Sequence, residues 1–116
     1  MFGVISALGV VIQLNGIQHE EKQLFFRLCS DHLSIEAIPR RPIIVDFKRM
    51  KEHPIRDHEL LMWTPHFAVL KNQTGQEITL RRNGRMVIRK AASETVARNA
   101  AMEVMNLVLR DFKVSN

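Results

Sequence analysis

Residues 77–108 read EITLRRNGRMVIRKAASETVARNAAMEVMNLV and contain the clearest structural signals in the chain. Two short runs, Ile78-Thr79-Leu80 and Met86-Val87-Ile88, are rich in residues that favour β-strands, and Asn83-Gly84 lies between them. Asn-Gly is the preferred pair for a two-residue type I′ turn, which requires a positive φ at the glycine. The stretch therefore predicts a β-hairpin that turns at Asn83-Gly84.

A two-residue turn also predicts which residues of the hairpin face one another. It places Arg82 opposite Arg85 and Leu80 opposite Val87 on one face, and Arg81 opposite Met86 on the other. Because like charges directly opposite one another are unfavourable, a bound phosphate or carboxylate would relieve the pairing of Arg82 with Arg85. The alternative is that these arginines are solvated and protect the hairpin from pairing with another chain.

The residues after the hairpin predict an amphipathic helix. Ser93 suits the N-cap position, and Glu94 suits the first turn of a helix. Apolar residues then recur on one face as far as about Phe112. These residues are Val96, Ala97, Ala100, Ala101, Val104, Leu107 and Val108.

Before the hairpin, the patterns predict five more elements. Apolar β-formers predict a buried strand at 3–14, and helical spacing of apolar residues predicts a helix at 19–33. A strand is expected at 43–47, a short helix at 56–63, and another strand at Phe67–Lys71. The short helix belongs to an irregular link in the middle of the chain. Without it, the predicted order is β-α-β-β-β-β-α. This order indicates an α+β fold, in which an antiparallel sheet has its helices packed on one face.

Length and composition fit a single α+β domain over residues 1–116. The chain is 46% hydrophobic and 25% charged, as in globular proteins. Cys29 is its sole cysteine, which excludes an intrachain disulfide. Met1–Gln18 carries no charge, but it is too short for a membrane helix and lacks the basic start of a signal peptide. We therefore expect a cytoplasmic protein without membrane association.

Positive charge is concentrated around the hairpin. The net charge of the chain is +5, and between Lys71 and Lys90 the only acidic residue is Glu77. A local surplus of this kind indicates a polyanionic partner such as nucleic acid. We predict that the basic residues of this segment bind the anion: Lys71, Arg81, Arg82, Arg85, Arg89 and Lys90.

Residues 67–108 resemble part of a TATA-box-binding-protein repeat. In that family a hairpin with a tight glycine turn reads basic-Met-Val, ends in a corner of small residues, and enters a long alanine-rich helix. The matching segments here are 83–87, 90–94 and 97–101, and 67–70 corresponds to the preceding strand. The resemblance implies a single-repeat TBP-like fold, whose element order is the order predicted above.

The resemblance does not carry TATA recognition to this chain. Members of the family wedge DNA open with phenylalanines. The matching positions here lie near His66 and near Leu80 or Arg81, and neither carries phenylalanine. The family also has two such repeats in one chain, whereas 116 residues hold one.

Motifs for catalysis or metal binding are missing from the sequence. Cys29 and His32 would lie one helical turn apart, but no cysteine or histidine pair has a recognised zinc spacing. Asp57 and His58 offer acid–base groups without a nucleophile elbow, a phosphate loop or a dinucleotide fingerprint beside them. We expect no enzyme and no cofactor, and we expect Trp63 to cover the core.

The leading hypothesis is a non-catalytic binding module whose open sheet face meets nucleic acid, mainly through phosphates. One alternative is a protein-interaction module that uses an apolar strip of Ile78, Leu80 and Val87 on that face. Another is a small-ligand-binding domain of the same architecture. Without a polyanion we expect a monomer, because the arginines repel one another and the strip is smaller than the roughly 1,000 Å² of a specific interface.

Overall fold

The computed structural model describes residues 23–31 and 33–114, which form a six-stranded antiparallel sheet with two helices. The strands are β1 (Leu24–Leu28), β2 (Ile35–Pro39), β3 (His58–Trp63), β4 (Phe67–Asn72), β5 (Glu77–Arg81) and β6 (Met86–Arg89). The helices are α1 (Phe47–Glu52) and α2 (Glu94–Asp111). The strand order across the sheet is β1-β2-β6-β5-β4-β3.

The connections explain this strand order. β1 and β2 form a hairpin, and the chain then passes through α1 to the opposite edge of the sheet. From there β3 to β6 return strand by strand until β6 pairs with β2. The long helix α2 then packs against β2 and β6.

The core lies between the sheet and the helices. Alternate residues along the central strands are buried there, and these strands contribute Leu70, Ile78, Leu80, Met86 and Ile88, each no more than 1% exposed. Burying an aliphatic side chain of this size contributes roughly 1.5–3 kcal/mol. The remaining alternate residues form the side of the sheet that faces away from the helices, which we call the open face.

The predicted helix after the hairpin is confirmed. The Ser93 hydroxyl accepts a hydrogen bond from the Val96 N–H at 3.2 Å, which caps the N-terminus of α2. Ala97 and Ala101 are fully buried on the face of α2 that packs against the sheet. Their small side chains allow α2 to lie close to the sheet.

The β5–β6 turn contains three residues instead of the predicted two. The Gly84 N–H donates to the Arg81 carbonyl at 2.9 Å, and the Arg81 N–H donates to the Arg85 carbonyl at 2.8 Å. Gly84 has a φ of +89°, as predicted, but no positive φ occurs at Asn83. This geometry is a type I turn followed by a glycine bulge.

The extra turn residue shifts the predicted hairpin register by one position. Leu80 pairs with Met86 instead of Val87, and Thr79 pairs with Val87. A one-residue slip moves every β6 side chain to the other face. The observed register is favourable because it brings Met86 and Ile88 into the same core as Leu80.

Three other predictions were wrong. Residues 24–28 form β1 instead of part of a helix at 19–33, because this segment pairs with β2 along its whole length. Residues 43–47 do not form a strand: Val45 makes a single bridge, and Asp46 then caps α1 by accepting from the Arg49 N–H. Residues 58–63, expected to be helical, form β3.

The coarse fold prediction is confirmed: the structure is α+β with an antiparallel sheet. From β2 onward the element order is β-α-β-β-β-β-α, but the first three of these elements occupy other residues than predicted. The predicted strand at 3–14 lies outside the described residues. Within the described ranges, no helix is long and apolar enough to cross a membrane.

Candidate anion-binding surface

The open face carries both apolar and charged side chains. Strand register places Val87 there, but Ile78 and Leu80 are fully buried in the core. The apolar strip proposed for a protein partner therefore does not exist as a surface. The open-face residues are Phe25, Arg27, Glu36, Ile38, Glu59, Met62, Phe67, Val69, Lys71, Glu77, Thr79, Arg81, Val87 and Arg89.

The structure divides the six predicted anion-binding residues into two groups. Arg81, Arg82 and Arg85 lie at the β5–β6 turn. We call the end of the sheet where this turn lies the turn end. Lys71, Arg89 and Lys90 lie at the opposite end of the same strands. Arg81 and Glu77 are four positions apart along β5, which corresponds to about 13 Å.

Glu77 partly neutralises the group at the opposite end. Lys90 Nζ lies 2.8 Å from Glu77 Oε2, and Lys71 and Arg89 are the cross-strand neighbours of Glu77. The hydrogen bond from Lys90, together with these positive charges, holds the pKa of the Glu77 carboxyl below its ordinary value. Glu59 adds a second carboxylate opposite Lys71.

Arginines at the turn end are less neutralised. Arg81 and Arg82 are exposed and have no carboxylate partner within the described ranges. Arg85 lies 3.8 Å from Glu36, but the same carboxylate is 2.7 Å from Arg27. Arg81 and Arg82 are therefore accessible to an external anion.

Hydrogen bonds bring further basic residues to the turn end. The Val45 N–H donates to the Arg82 carbonyl at 2.8 Å, and the Asp46 N–H donates to the Phe112 carbonyl at 2.7 Å. These bonds join the β2–α1 link, the β5–β6 turn and the segment that follows α2. The additional basic residues are Arg40, Arg41, Lys48, Lys51 and Lys113.

Sequence reasoning did not assign these five residues to the site. Pro39-Arg40-Arg41-Pro42 is typical of a break between elements, and its position relative to the hairpin depends on the tertiary hydrogen bonds of Val45 and Asp46. The paired arginines between two prolines were the only available signal.

A cleft of about 580 Å³ opens beside the turn end. It lies between the start of β4 and the β5–β6 turn, and Phe67 contributes a half-buried aromatic ring. Arg81 lies directly opposite Phe67 on the neighbouring strand. The remaining lining residues are His66, Thr79, Arg82 and Asn83.

In the part of the chain that the structure describes, histidine and cysteine side chains do not converge on a metal site. Among the described residues, no three histidine, cysteine, aspartate or glutamate side chains are grouped to hold a metal ion. His58 begins β3 and His66 precedes β4, which places them at opposite ends of the sheet. Partial burial raises the pKa of the Cys29 thiol, which keeps it protonated at neutral pH.

Trp63 and His58 each make a side-chain hydrogen bond to a backbone carbonyl of the protein. The Trp63 indole N–H donates to the Phe47 carbonyl at 2.9 Å, and its ring packs against the core as expected. The His58 side chain is fully buried, and its Nδ1 lies 2.6 Å from the Arg56 carbonyl. Its Nε2 has no hydrogen-bond partner among the described residues, although Glu103 Oε1 is 3.9 Å away.

Comparison of the chain with protein-family models, with curated proteins and with solved structures finds no match. The resemblance of residues 67–108 to a TATA-box-binding-protein repeat therefore stays a prediction. His66 and Arg81, near the positions that match the family's wedging phenylalanines, both line the cleft beside the turn end.

Proposed function

We propose that this protein is a non-catalytic binding module that holds nucleic acid by its phosphates at the turn end of the sheet. The observation that carries the proposal is the exposure of Arg81 and Arg82 without carboxylate partners, next to further basic residues from three other segments. Unneutralised cations held by a rigid backbone attract phosphate without first breaking an internal ion pair.

The spread of these cations favours a polymer over a small anion. Arg40 and Arg41 follow β2, Lys48 lies in α1, Arg82 lies in the turn and Lys113 follows α2. A single phosphate contacts only two or three such groups, whereas a nucleic-acid strand presents successive phosphates to all of them.

The apolar part of the open face complements these charges. Phe67 and Val69 on β4 and Val87 on β6 flank β5 on the open face and are half-buried, so they offer contact surface to bases or sugars. None of these side chains reads the pattern of donors and acceptors on a base edge. Binding is therefore expected to tolerate sequence.

A titration of the protein into labelled oligonucleotides tests this proposal. We expect binding at about 50 mM salt that weakens steeply as salt is added, with a log–log slope of roughly −3 to −5 for four or five displaced counterions. Oligonucleotides of different sequence should bind with similar affinity. The absence of binding to any of them at about 50 mM salt would contradict the proposal.

A protein-binding role is the second candidate, and the edge strand β1 favours it. Phe25 and Leu28 of β1 are 51% and 53% exposed, and Leu33 in the adjoining turn is 82% exposed. Exposed apolar residues on an edge strand are a common site of strand pairing with a partner. Competition distinguishes the two roles: a protein partner seated on β1 leaves the oligonucleotide affinity of the turn end unchanged.

A further inference from the structure

Side-chain-to-backbone hydrogen bonds fix the two turns on either side of the cleft beside Phe67. The Thr64 hydroxyl accepts hydrogen bonds from the N–H groups of His66 and Phe67 at 3.1 and 3.0 Å. On the opposite wall, Asn83 Oδ1 accepts from the Arg85 N–H at 3.0 Å. The Phe67 ring and the Arg81 guanidinium, which are cross-strand neighbours, are thus presented by a fixed backbone.

Carboxylates on the open face disfavour a duplex lying across the sheet. Six strands span about 24 Å, so a duplex covers most of this face. Glu36 on β2, Glu59 on β3 and Glu77 on β5 all face that side. A rigid duplex that reaches Arg81 would bring other phosphates close to these carboxylates, and like charges in a contact surface are unfavourable.

A single strand avoids this repulsion. Its backbone bends, so its phosphates can follow the cations around the turn end, from Arg81 and Arg82 towards Arg41 and Lys48, without crossing Glu59 and Glu77. Asp46 and Glu52 also line the groove beside Lys48, so the phosphates must pass on the side of the cations. Its bases are also unpaired and free to stack on aromatic side chains.

Building on the proposed function, we propose that the cleft takes one base of a single-stranded nucleic acid. The base stacks on Phe67, and the flanking phosphates contact Arg81 and Arg82. A volume of about 580 Å³ lies within the range of 300–1,000 Å³ typical of small-ligand pockets. Because every base has an aromatic face, the site accepts all of them.

Fluorescence anisotropy with two labelled probes tests this inference. The first probe is an unstructured oligothymidine, and the second is a fully paired DNA hairpin that is closed by a non-nucleotide linker and has the same number of phosphates. At about 100 mM salt we expect the single strand to bind at least tenfold more tightly. Phe67→Leu should weaken single-strand binding about tenfold and leave the hairpin unaffected.

Phe25→Leu is the matched control. Phe25 also lies on the open face, but on the edge strand and stacked with Arg40, whose Cζ is 3.7 Å from the ring centroid. We expect this variant to change single-strand affinity less than about twofold. Equal or tighter binding of the hairpin, or full affinity in Phe67→Leu, would overturn the cleft assignment while leaving polyanion binding intact. If the unmodified protein binds neither probe, the proposed function itself would be overturned.

Phe67→Trp provides the second test if the leucine variant unfolds. A tryptophan in the cleft should be quenched when oligothymidine stacks on it, beyond any change in the Trp63 emission of the unmodified protein. Binding without this additional quenching would equally overturn the stacking site.

Discussion

Gly84 lies where the β5–β6 turn meets the β2–α1 link, and two features require a glycine there. Its φ is +89°, a value that side-chain-bearing residues rarely adopt. A Cβ at this position would also lie 2.6 Å from Ile43 Cδ1 and 2.9 Å from Pro39 Cγ. Gly75 has a similar φ of +93° but no atom within 4 Å of an added Cβ.

Gly84→Ala should therefore destabilise the protein more than Gly75→Ala. Both changes strain the backbone to a similar degree, but only the first forces Ile43 and Pro39 to move, which costs about 1–3 kcal/mol more. Urea denaturation of the two variants measures the difference. Equal losses of unfolding free energy would show that Ile43 does not pack against Gly84.

Glu77 makes part of the stability depend on pH. Its pKa is lowered in the folded state, chiefly by the hydrogen bond from Lys90, so the charged form favours folding. This contribution is present above the unfolded carboxyl pKa of about 4.3 and is lost as pH falls through the lower folded value. The stability difference between the unmodified protein and Glu77→Gln should therefore be present at pH 7 and shrink as pH falls below about 4.3. A difference that stays constant over this range would contradict the Lys90 contact.

At the scale of elements, local signals predicted the hairpin strands, β4 and α2, but not the register or β1. Asn83-Gly84 is compatible with both a two- and a three-residue loop, and burial of Met86 and Ile88 against β5 selects the second. In residues 24–28, apolar side chains recur at both strand and helix spacing, so a five-residue run does not distinguish the two. Pairing with β2, the next strand along the chain, decides the outcome.

The packing of α2 depends on its small buried residues. Ala101 is fully buried against the sheet, whereas Asn99 is exposed on the same helix. Ala101→Leu should cost about 1–3 kcal/mol by overpacking the core, and Asn99→Leu should change stability by less than about 0.5 kcal/mol. Thermal melts followed by circular dichroism check both values. An Ala101→Leu protein as stable as the control would mean that α2 does not lie close to the sheet.

At the scale of the whole molecule, charge is distributed unevenly between the two ends of the sheet. Hairpin arginines were predictable from sequence, but the convergence of Arg40, Arg41, Lys48 and Lys113 was not, because it depends on long-range hydrogen bonds. The acidic residues Glu59 and Glu77 lie away from the turn end on the open face, whereas Glu36 lies within 3.8 Å of Arg85. This polarity orients a polyanion towards one end of the molecule.

The same polarity leads us to expect a monomer when no polyanion is present. Two basic turn ends repel each other, and the exposed apolar residues of β1 offer only a few hundred Å², below the roughly 1,000 Å² of a specific interface. Sedimentation equilibrium at physiological salt measures the mass directly. A stable dimer without ligand would indicate that β1 pairs with a second copy.

The most direct test of polyanion binding at the turn end compares two double variants with equal loss of charge. Arg81→Gln with Arg82→Gln removes two turn-end cations, and Lys71→Gln with Arg89→Gln removes two cations beside Glu77. In oligonucleotide titrations at about 100 mM salt, we expect the first variant to lose at least tenfold in affinity and to bind with a shallower salt dependence. The second should lose less than about twofold. Equal losses in the two variants, or a larger loss in the second, would contradict binding at the turn end.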